Sequence, residues 1–383
     1  MPQKLCQCNE KGEVMDIRVE KVPSDELKPR YEDPSTLPFG GIYTDRMFTM
    51  KYEEGRGWQD PTIAKYAPFE LDPAALVLHY GQEIFEGLKA FLSPTTGEIR
   101  LFRPEKNAAR FNASARRMCM PEVPEEDFLQ AVDVLVNEER GWMPRYRGAS
   151  MYIRPTMIAT EAGLGVRPAK EYIFFIILSP SGPYYKQGFN PISLLVADEY
   201  VRAVRGGVGE AKTGGNYAAS LLAGAEAKRK GYSQVLWLDA IERKYVEEVG
   251  AMNMFFVFGK TLVTSPLTGS ILRGVTRDSV LTLAPGMGYG AEERMLSIDE
   301  VAKGAGDGSL TEVFGAGTAA SISPVGTLEY RGTVYRVGDG GVGPVSRALY
   351  DELTGIQYGE KEDRFGWTRV IGSAEGIAPP ERR

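Results

Sequence analysis

Thirteen residues, SPSGPYYKQGFNP at 179–191, hold three prolines, two glycines and three aromatic residues. Proline lacks the N–H that a helix or a central strand needs, so neither element runs through this stretch, and each flank must build its own core. At 383 residues there is chain enough for two. Both flanks mix strand-like and helix-like periodicities. The expectation is a two-domain α/β (α+β) protein with residues 1–178 in one domain, a linker at 179–191 and residues 192–383 in the other.

Within the first flank, residues 1–36 are polar and dotted with proline, as in an arm. From Phe39 the run GGIYTDRMFTMKY reads as an edge strand, and EEGRGWQDP returns the chain to solvent. LVLHY reads as a strand with His79 packed in or behind it. Pro104 opens a helix whose Ala108, Phe111, Ala115 and Met118 form a buried stripe, leaving Arg110 off the stripe. A second helix covers about 125–140, and SMYIRPTMIAT and EYIFFIILS read as strands. Beyond the linker come ISLLVADEY, a helix from the segment near 212 through about Lys230, the strand SQVLWLDA, a turn-like GAMN before an apolar strand pair, a helix from about Thr276, and a last helix in VSRALYDELTGIQYG.

Several function classes are disfavoured. A net charge of −6 argues against nucleic-acid binding. The N-terminal residues carry no apolar core of signal-peptide length and no run of about 20 apolar residues occurs, so a cytoplasmic location is expected. Cys6, Cys8 and Cys119 make neither a disulfide framework nor a four-ligand zinc site, no metal site is expected, and His79 is the one histidine on which a Ser-His-Asp or Cys-His mechanism could rest.

The segment GEAKTGGNYAAS at 209–220 sets Lys212 among small residues at the start of a helix, where a flat group can approach the amine. A lysine with pKa near 10.4 keeps only about one neutral amine in a few thousand at pH 7; storing the amine as a Schiff base avoids that demand. Such a cofactor needs an anion holder and an acid at a ring nitrogen. Gly274, Val275 and Thr276 at a helix start present N–H groups to an anion, and the small-residue turn Gly315–Ala319 does the same for a second one. Glu248 suits the ring nitrogen: an opposite charge about 4 Å away at an effective dielectric of about 20 contributes roughly 4 kcal/mol, close to three pKa units. The rival is a phosphate-loop NTPase, with Lys212 and Thr213 in the loop and Asp239 on the acidic strand, but Ala211 replaces a required glycine and two glycines interrupt the helix that should hold the phosphate.

From Glu248 to Arg277 the spacing of Glu248, Gly250, Asn253, Met254, Phe255, Leu262, Thr264, Leu272, Gly274, Val275 and Arg277 matches the pattern of class IV aminotransferases. With HYGQEIFEGLKAF, LFRPEKNAARF, YIRPTMIAT, LSPSGPYY, AKTGGNYAAS, FGAGTAASISPV and IQYG, the chain from about Pro38 to Gly359 resembles branched-chain amino-acid aminotransferases. The resemblance implies a fold-type-IV enzyme with a smaller N-terminal and a larger C-terminal domain and pyridoxal 5'-phosphate between them. It implies transfer of the α-amino group of L-leucine, L-isoleucine or L-valine to 2-oxoglutarate by a homodimer that uses neither nucleic acid nor membrane. D-amino-acid aminotransferases and aminodeoxychorismate lyases share that fold, and YIRP and HYGQEIFEG favour the branched-chain group.

By the same resemblance Lys212 is the Schiff-base lysine and proton carrier, Tyr217 meets the ring hydroxyl, Glu248 the pyridine nitrogen and Leu272 the ring face. Arg110, the backbone of Val275 and Thr276, and Thr318 hold the phosphate; the Thr318–Ala319 turn meets the substrate carboxylate. Phe39, Tyr80, Phe85, Tyr152 and Tyr184 resemble a side-chain pocket, Arg154 the acceptor of glutamate's distal carboxylate, and Val166 a residue that reaches a neighbouring subunit's site. Ala320 and Ser323 stand where some relatives carry a Cys-x-x-Cys pair, which excludes a thiol switch there, and Ala251 replaces a threonine found in others.

Overall fold

The computed structural model describes residues 15–182, 184 and 189–374, so Cys6 and Cys8 and the centre of the expected linker lie outside the described residues. The chain forms two compact units, one taking in Met1–Tyr184 and Ile356–Arg383, the other Tyr185–Gly355.

The first unit is built on a nine-stranded sheet. Its strands are β1 (Arg18–Val19), β2 (Arg46–Glu53), β3 (Gly57–Lys65), β4 (Glu83–Phe85), β5 (Leu88–Leu92), β6 (Glu98–Phe102), β7 (Ser150–Ala159) and β8 (Glu171–Ser181), with a C-terminal strand Thr368–Ser373. The order is β1-β3-β2-β8-β7-β5-β6 and then the C-terminal strand, and β4 also pairs with β7. One face, with Phe48, Ile153, Phe174 and Ile176, packs on the two long helices α2 (Pro104–Arg117) and α3 (Glu125–Glu138), where Phe111 and Phe128 lie 5.3 and 5.8 Å from the Phe174 ring. The expected stripe of α2 is the buried one: Ala108, Phe111 and Ala115 are inside.

Several sequence expectations change here, the edge strand first: β2 is an interior strand, paired with β3 on one side and β8 on the other. LVLHY forms a short helix, α1 (Leu76–Tyr80), closed by Gly81 at φ 59°, and His79 is exposed with its ring nitrogen 2.9 Å from the Pro73 carbonyl. Five apolar-rich residues carry too little periodicity to separate a helix from a strand. The EEGRGWQDP stretch turns back at once, since β3 starts at Gly57 and runs through Pro61, with its irregularity near Asp60 at φ 54°. The described part of the arm is docked: Arg30 lies over the Trp142 ring at 3.9 Å, and the Met15 backbone exchanges two hydrogen bonds with the Gln130 amide. Moreover, the strand Thr368–Ser373 pairs with β6 and so belongs to the first sheet, although it lies within the 192–383 stretch.

The second unit contains β9 (Ile192–Val196), β10 (Gln234–Leu238), β11 (Val246–Val249), β12 (Met252–Phe258), β13 (Thr261–Thr264), β14 (Gly290–Glu293), β15 (Leu310–Gly317), β16 (Ser321–Tyr330) and β17 (Thr333–Arg336). Because β11 pairs with both β10 and β12, the path β11-β10-β9-β16-β15-β12 closes on itself as a six-stranded ring. Leu194, Leu236, Val249, Met254, Phe256, Val313, Val325 and Leu328 belong to one buried cluster built from these strands. The helices are α4 (Gly214–Ala218), α5 (Leu221–Arg229), α6 (Val275–Gly286), α7 (Ile298–Asp307) and α8 (Pro344–Gln357).

One buried carboxylate fixes the start of α8. Glu312 on β15 accepts from the backbone N–H of Val345 and Ser346, both at 2.8 Å, and from the Ser346 hydroxyl at 2.7 Å. Glu312→Ala leaves all three donors buried without an acceptor. A loss of about 2–4 kcal/mol is expected, read as a lower midpoint in chemical unfolding; a variant within about 0.5 kcal/mol of wild type would show the cap to be dispensable.

Candidate active site

In the second unit Lys212 sits outside any helix or strand, two residues before α4, and its Nζ donates to the Tyr217 hydroxyl at 2.8 Å. The single helix expected through Lys230 is two: the chain turns at Ala219–Ser220, and the Ser220 hydroxyl bonds the Tyr217 carbonyl at 2.6 Å. Buried Asn216 donates to the carbonyls of Val208 and Ala211, each at 2.8 Å, and pins the loop that carries the lysine. A Cβ on Gly209 would lie 2.4 Å from the Ser270 carbonyl oxygen, so only glycine allows this loop to approach the 270 segment so closely.

Glu248 is buried on β11. Burial pushes its carboxyl up to about 7, while the opposing Arg202, the Leu272 N–H and Lys212 pull it down. The Asn253 amide donates to Glu248 Oε2 at 3.2 Å and to the Leu272 carbonyl at 3.0 Å, so one side chain sets the acid and the loop before α6 together. Arg202 ion-pairs with Glu248 Oε1 and donates to the carbonyls of Gly209, at 3.0 Å, and Ser270. Nothing in the sequence singles out Arg202: the loop VRAVRGG has no periodicity, and the arginine's partner is far along the chain.

Two main-chain features face the same loops. Gly274 caps α6 without a side-chain bond, which places the Val275 and Thr276 N–H groups at the positive end of a helix, and a Cβ on Gly274 would lie 2.0 Å from Asn253 Oδ1. The register Asn253↔Ala316 sets the Thr318–Ala319 turn beside the Gly250–Ala251 hairpin turn, where a Cβ on Gly317 would meet the Ala251 carbonyl at 2.5 Å. An amine, a buried acid, a half-buried Leu272 and two helix or turn amide sites are thereby gathered from Lys212, Tyr217, Glu248, Leu272, Val275, Thr276, Thr318 and Ala319. They fit a planar ring with an anionic arm and a basic nitrogen. Asp239, by contrast, is consumed by its own turn. It accepts from the N–H groups of Ile241, Glu242, Lys244 and Tyr245, which against the cost of burial hold its carboxyl below the usual range.

In the first unit Arg110 on α2 is a bidentate partner of Glu86. The register Lys89↔Tyr152 and Phe85↔Thr156 puts Phe85, Lys89, Tyr152 and Arg154 on one sheet face. There the Phe39 ring packs edge-on against Tyr152 and Tyr184 at 4.8 and 5.0 Å, and the Arg154 guanidinium lies over Phe85 at 4.7 Å, with Nη2 3.3 Å from the Tyr152 hydroxyl. Gly87 makes room for that hydroxyl, since a Cβ would lie 2.1 Å from it. Lys89 carries no signal of its own in the sequence; burial pushes its amine down to about 8. Within this chain Tyr80 lies apart from the Phe39 cluster. It is 42% exposed, its ring neighbour is His79, and its hydroxyl donates to the Leu164 carbonyl, which ties it to the loop of Leu164 and Val166, 68% and 84% exposed.

Three comparisons bear on this arrangement. The family model for amino-transferase class IV matches residues 83–328. A probable branched-chain-amino-acid aminotransferase of Streptomyces coelicolor is 55% identical over 359 residues, covering 91% of this chain and 99% of that protein. Among solved structures, the Escherichia coli branched-chain amino acid aminotransferase superposes with a TM-score of 0.71 at 28% identity, covering 84% of this chain and 99% of that one. The branched-chain amino acid aminotransferase from Thermobaculum terrenum, in its PLP-form, gives 0.70 at 25% identity, covering 89% and 100%.

Proposed function

The chain belongs to the class IV aminotransferases, and from that membership we propose that its described side chains carry out branched-chain amino-acid transamination with pyridoxal 5'-phosphate as cofactor. The overall reaction moves the α-amino group of L-leucine, L-isoleucine or L-valine to 2-oxoglutarate, giving L-glutamate and a branched 2-oxo acid. One observation carries the assignment of roles: a lysine amine 2.8 Å from a tyrosine hydroxyl, in the unit that also buries a carboxyl at Glu248.

Bound there, pyridoxal phosphate supplies a carbonyl that takes amino groups covalently and a protonated ring that accepts electron density from the substrate α-carbon. The chain does the rest. Lys212 Nζ would hold the cofactor covalently and would take up and return the proton at the substrate α-carbon. Tyr217 orients that amine and would meet the ring hydroxyl, Glu248 would keep the proton on the pyridine nitrogen, and Leu272 would support the ring face. By the family resemblance Arg110, the Val275 and Thr276 N–H groups and Thr318 would hold the phosphate, and the Thr318–Ala319 turn would take the substrate carboxylate.

Phe39, Phe85, Tyr152 and Tyr184 form the apolar wall for a branched side chain. Arg154 stands at its polar edge for the distal carboxylate of glutamate, so one pocket serves both partners. Arg154→Gln is therefore expected to lower kcat/KM for glutamate and 2-oxoglutarate by about 30–100-fold while changing that for leucine less than about threefold. Equal losses with both substrates would remove Arg154 from this role.

The exposed Leu164–Val166 loop, carrying Tyr80 with it, suits a homodimer in which the loop reaches a neighbouring subunit's site. No described helix is long and apolar enough to cross a membrane, which is compatible with the cytoplasmic location proposed. Borohydride trapping followed by peptide mapping tests the lysine, and parallel assays with L-leucine, D-alanine and aminodeoxychorismate test the substrate. Cofactor recovered on another lysine, or reaction with D-alanine and none with leucine, would overturn this reading.

A further inference from the structure

We propose that Glu86 is the positioning residue that sets the Arg110 guanidinium for the cofactor phosphate, an inference that rests on Arg110 being the phosphate-holding arginine. Glu86 is 0% exposed and occupies the two-residue link between β4 and β5, where its own N–H donates to the Pro155 carbonyl at 2.8 Å. Its carboxylate then gathers four donors. Arg110 Nε reaches Oε1 at 2.7 Å and Arg110 Nη2 reaches Oε2 at 2.9 Å; the Asn107 amide and the Gly87 N–H meet Oε2 at 2.7 and 3.0 Å. Asn107 and Arg110 lie one turn apart on α2, so one carboxylate locks two side chains of one helix to the sheet.

A brace alone does not account for this choice of residues. Fastening α2 to the sheet is achieved at least as well by apolar side chains, without removing two charges from water. What the carboxylate adds is direction. A guanidinium is planar, and engaging its Nε–Nη2 edge fixes the plane and the heading of Nη1. The Arg110 side chain is only 10% exposed, so little solvent is present to reorient it. Glu86 also balances the buried guanidinium before any anion arrives, which lets the cradle exist preformed in cofactor-free protein.

Glutamine at this position keeps the shape but turns an N–H toward the arginine, so the guanidinium must leave its plane. The test compares two ligands on the full chain stripped of cofactor: pyridoxal 5'-phosphate, and pyridoxal, which has the same ring and aldehyde and no phosphate. The ratio of their dissociation constants isolates what the phosphate cradle contributes. Glu86→Gln is expected to shrink that ratio by about tenfold or more with pyridoxal affinity unchanged, and Arg110→Gln to shrink it likewise. Asn107→Ala, which keeps the carboxylate and removes one of its donors, gives a smaller loss of the same kind and serves if Glu86→Gln does not fold. A normal ratio in Glu86→Gln and Asn107→Ala beside a reduced one in Arg110→Gln would overturn the proposal and leave Arg110 in place. A normal ratio in Arg110→Gln would instead remove the premise. A purely structural brace would weaken both ligands equally and leave the ratio where it was.

Discussion

Lys212→Ala is expected to lower kcat for amino transfer from L-leucine to 2-oxoglutarate by about 10⁴-fold or more while leaving the fold intact. Two functions leave together: the covalent hold on the cofactor, and the amine that carries the α-proton, and a positioned acid–base group alone is worth about 10²–10⁴-fold. The fold has little stake in the side chain. Lys212 is half-buried outside any helix or strand, its amine bonds the Tyr217 hydroxyl, and the loop is held instead by Asn216 and Arg202. Thermal unfolding of the cofactor-free variant should therefore stay within about 1 kcal/mol of cofactor-free wild type. A small primary amine in the buffer should restore part of the rate, because what is missing is a base in space rather than a shape. Retention of activity within tenfold of wild type would take the proton-carrying role away from this residue.

How far the sequence alone discloses this molecule depends on the range of each signal. The α2 stripe and the turn at Gly250–Ala251 are local patterns, and the structure contains the elements they announce. Strand alternation likewise puts Tyr152 and Arg154 on one face before any fold is known. Long-range pairings leave no such trace. Arg202 meets Glu248 only because the ring of strands closes and Gly209 lets its loop approach Ser270. The strand Thr368–Ser373 finds β6 across most of the chain. Glu86 stands inside the motif HYGQEIFEGLKAF, yet its bond to Arg110 appears only once α2 is packed on the sheet. Tyr80 shows the complementary limit: motif matching selects the residue, but its neighbour is the Leu164 carbonyl rather than the Phe39 cluster, because LVLHY coils into a helix and turns the ring outward.

Glu248→Gln is expected to reduce kcat by about 10²–10³-fold, because an amide cannot hold a proton on the pyridine nitrogen by charge. The Coulomb contribution of a carboxylate about 4 Å away, at an effective dielectric of about 20, is roughly 4 kcal/mol, or about three pKa units of the ring. The same residue should be visible without any cofactor. Burial raises its carboxyl to about 7 from an ordinary 4.5, so the folded chain binds this proton more tightly than the unfolded chain does. The stability that this difference confers is complete below about pH 4.5 and is lost as the pH rises through about 7, by up to about 3 kcal/mol. Glutamine does not titrate. The stability of cofactor-free wild type measured relative to cofactor-free Glu248→Gln should accordingly fall across that interval. Arg202 remains buried in both proteins, so its desolvation largely cancels in the pH dependence of the difference. Urea unfolding of the two proteins at pH 5, 6, 7 and 8 gives the curve directly. A flat difference would show that Arg202 holds Glu248 ionised throughout, and the acid would then meet the ring as a fixed anion rather than as a group that exchanges its proton with solvent near neutrality.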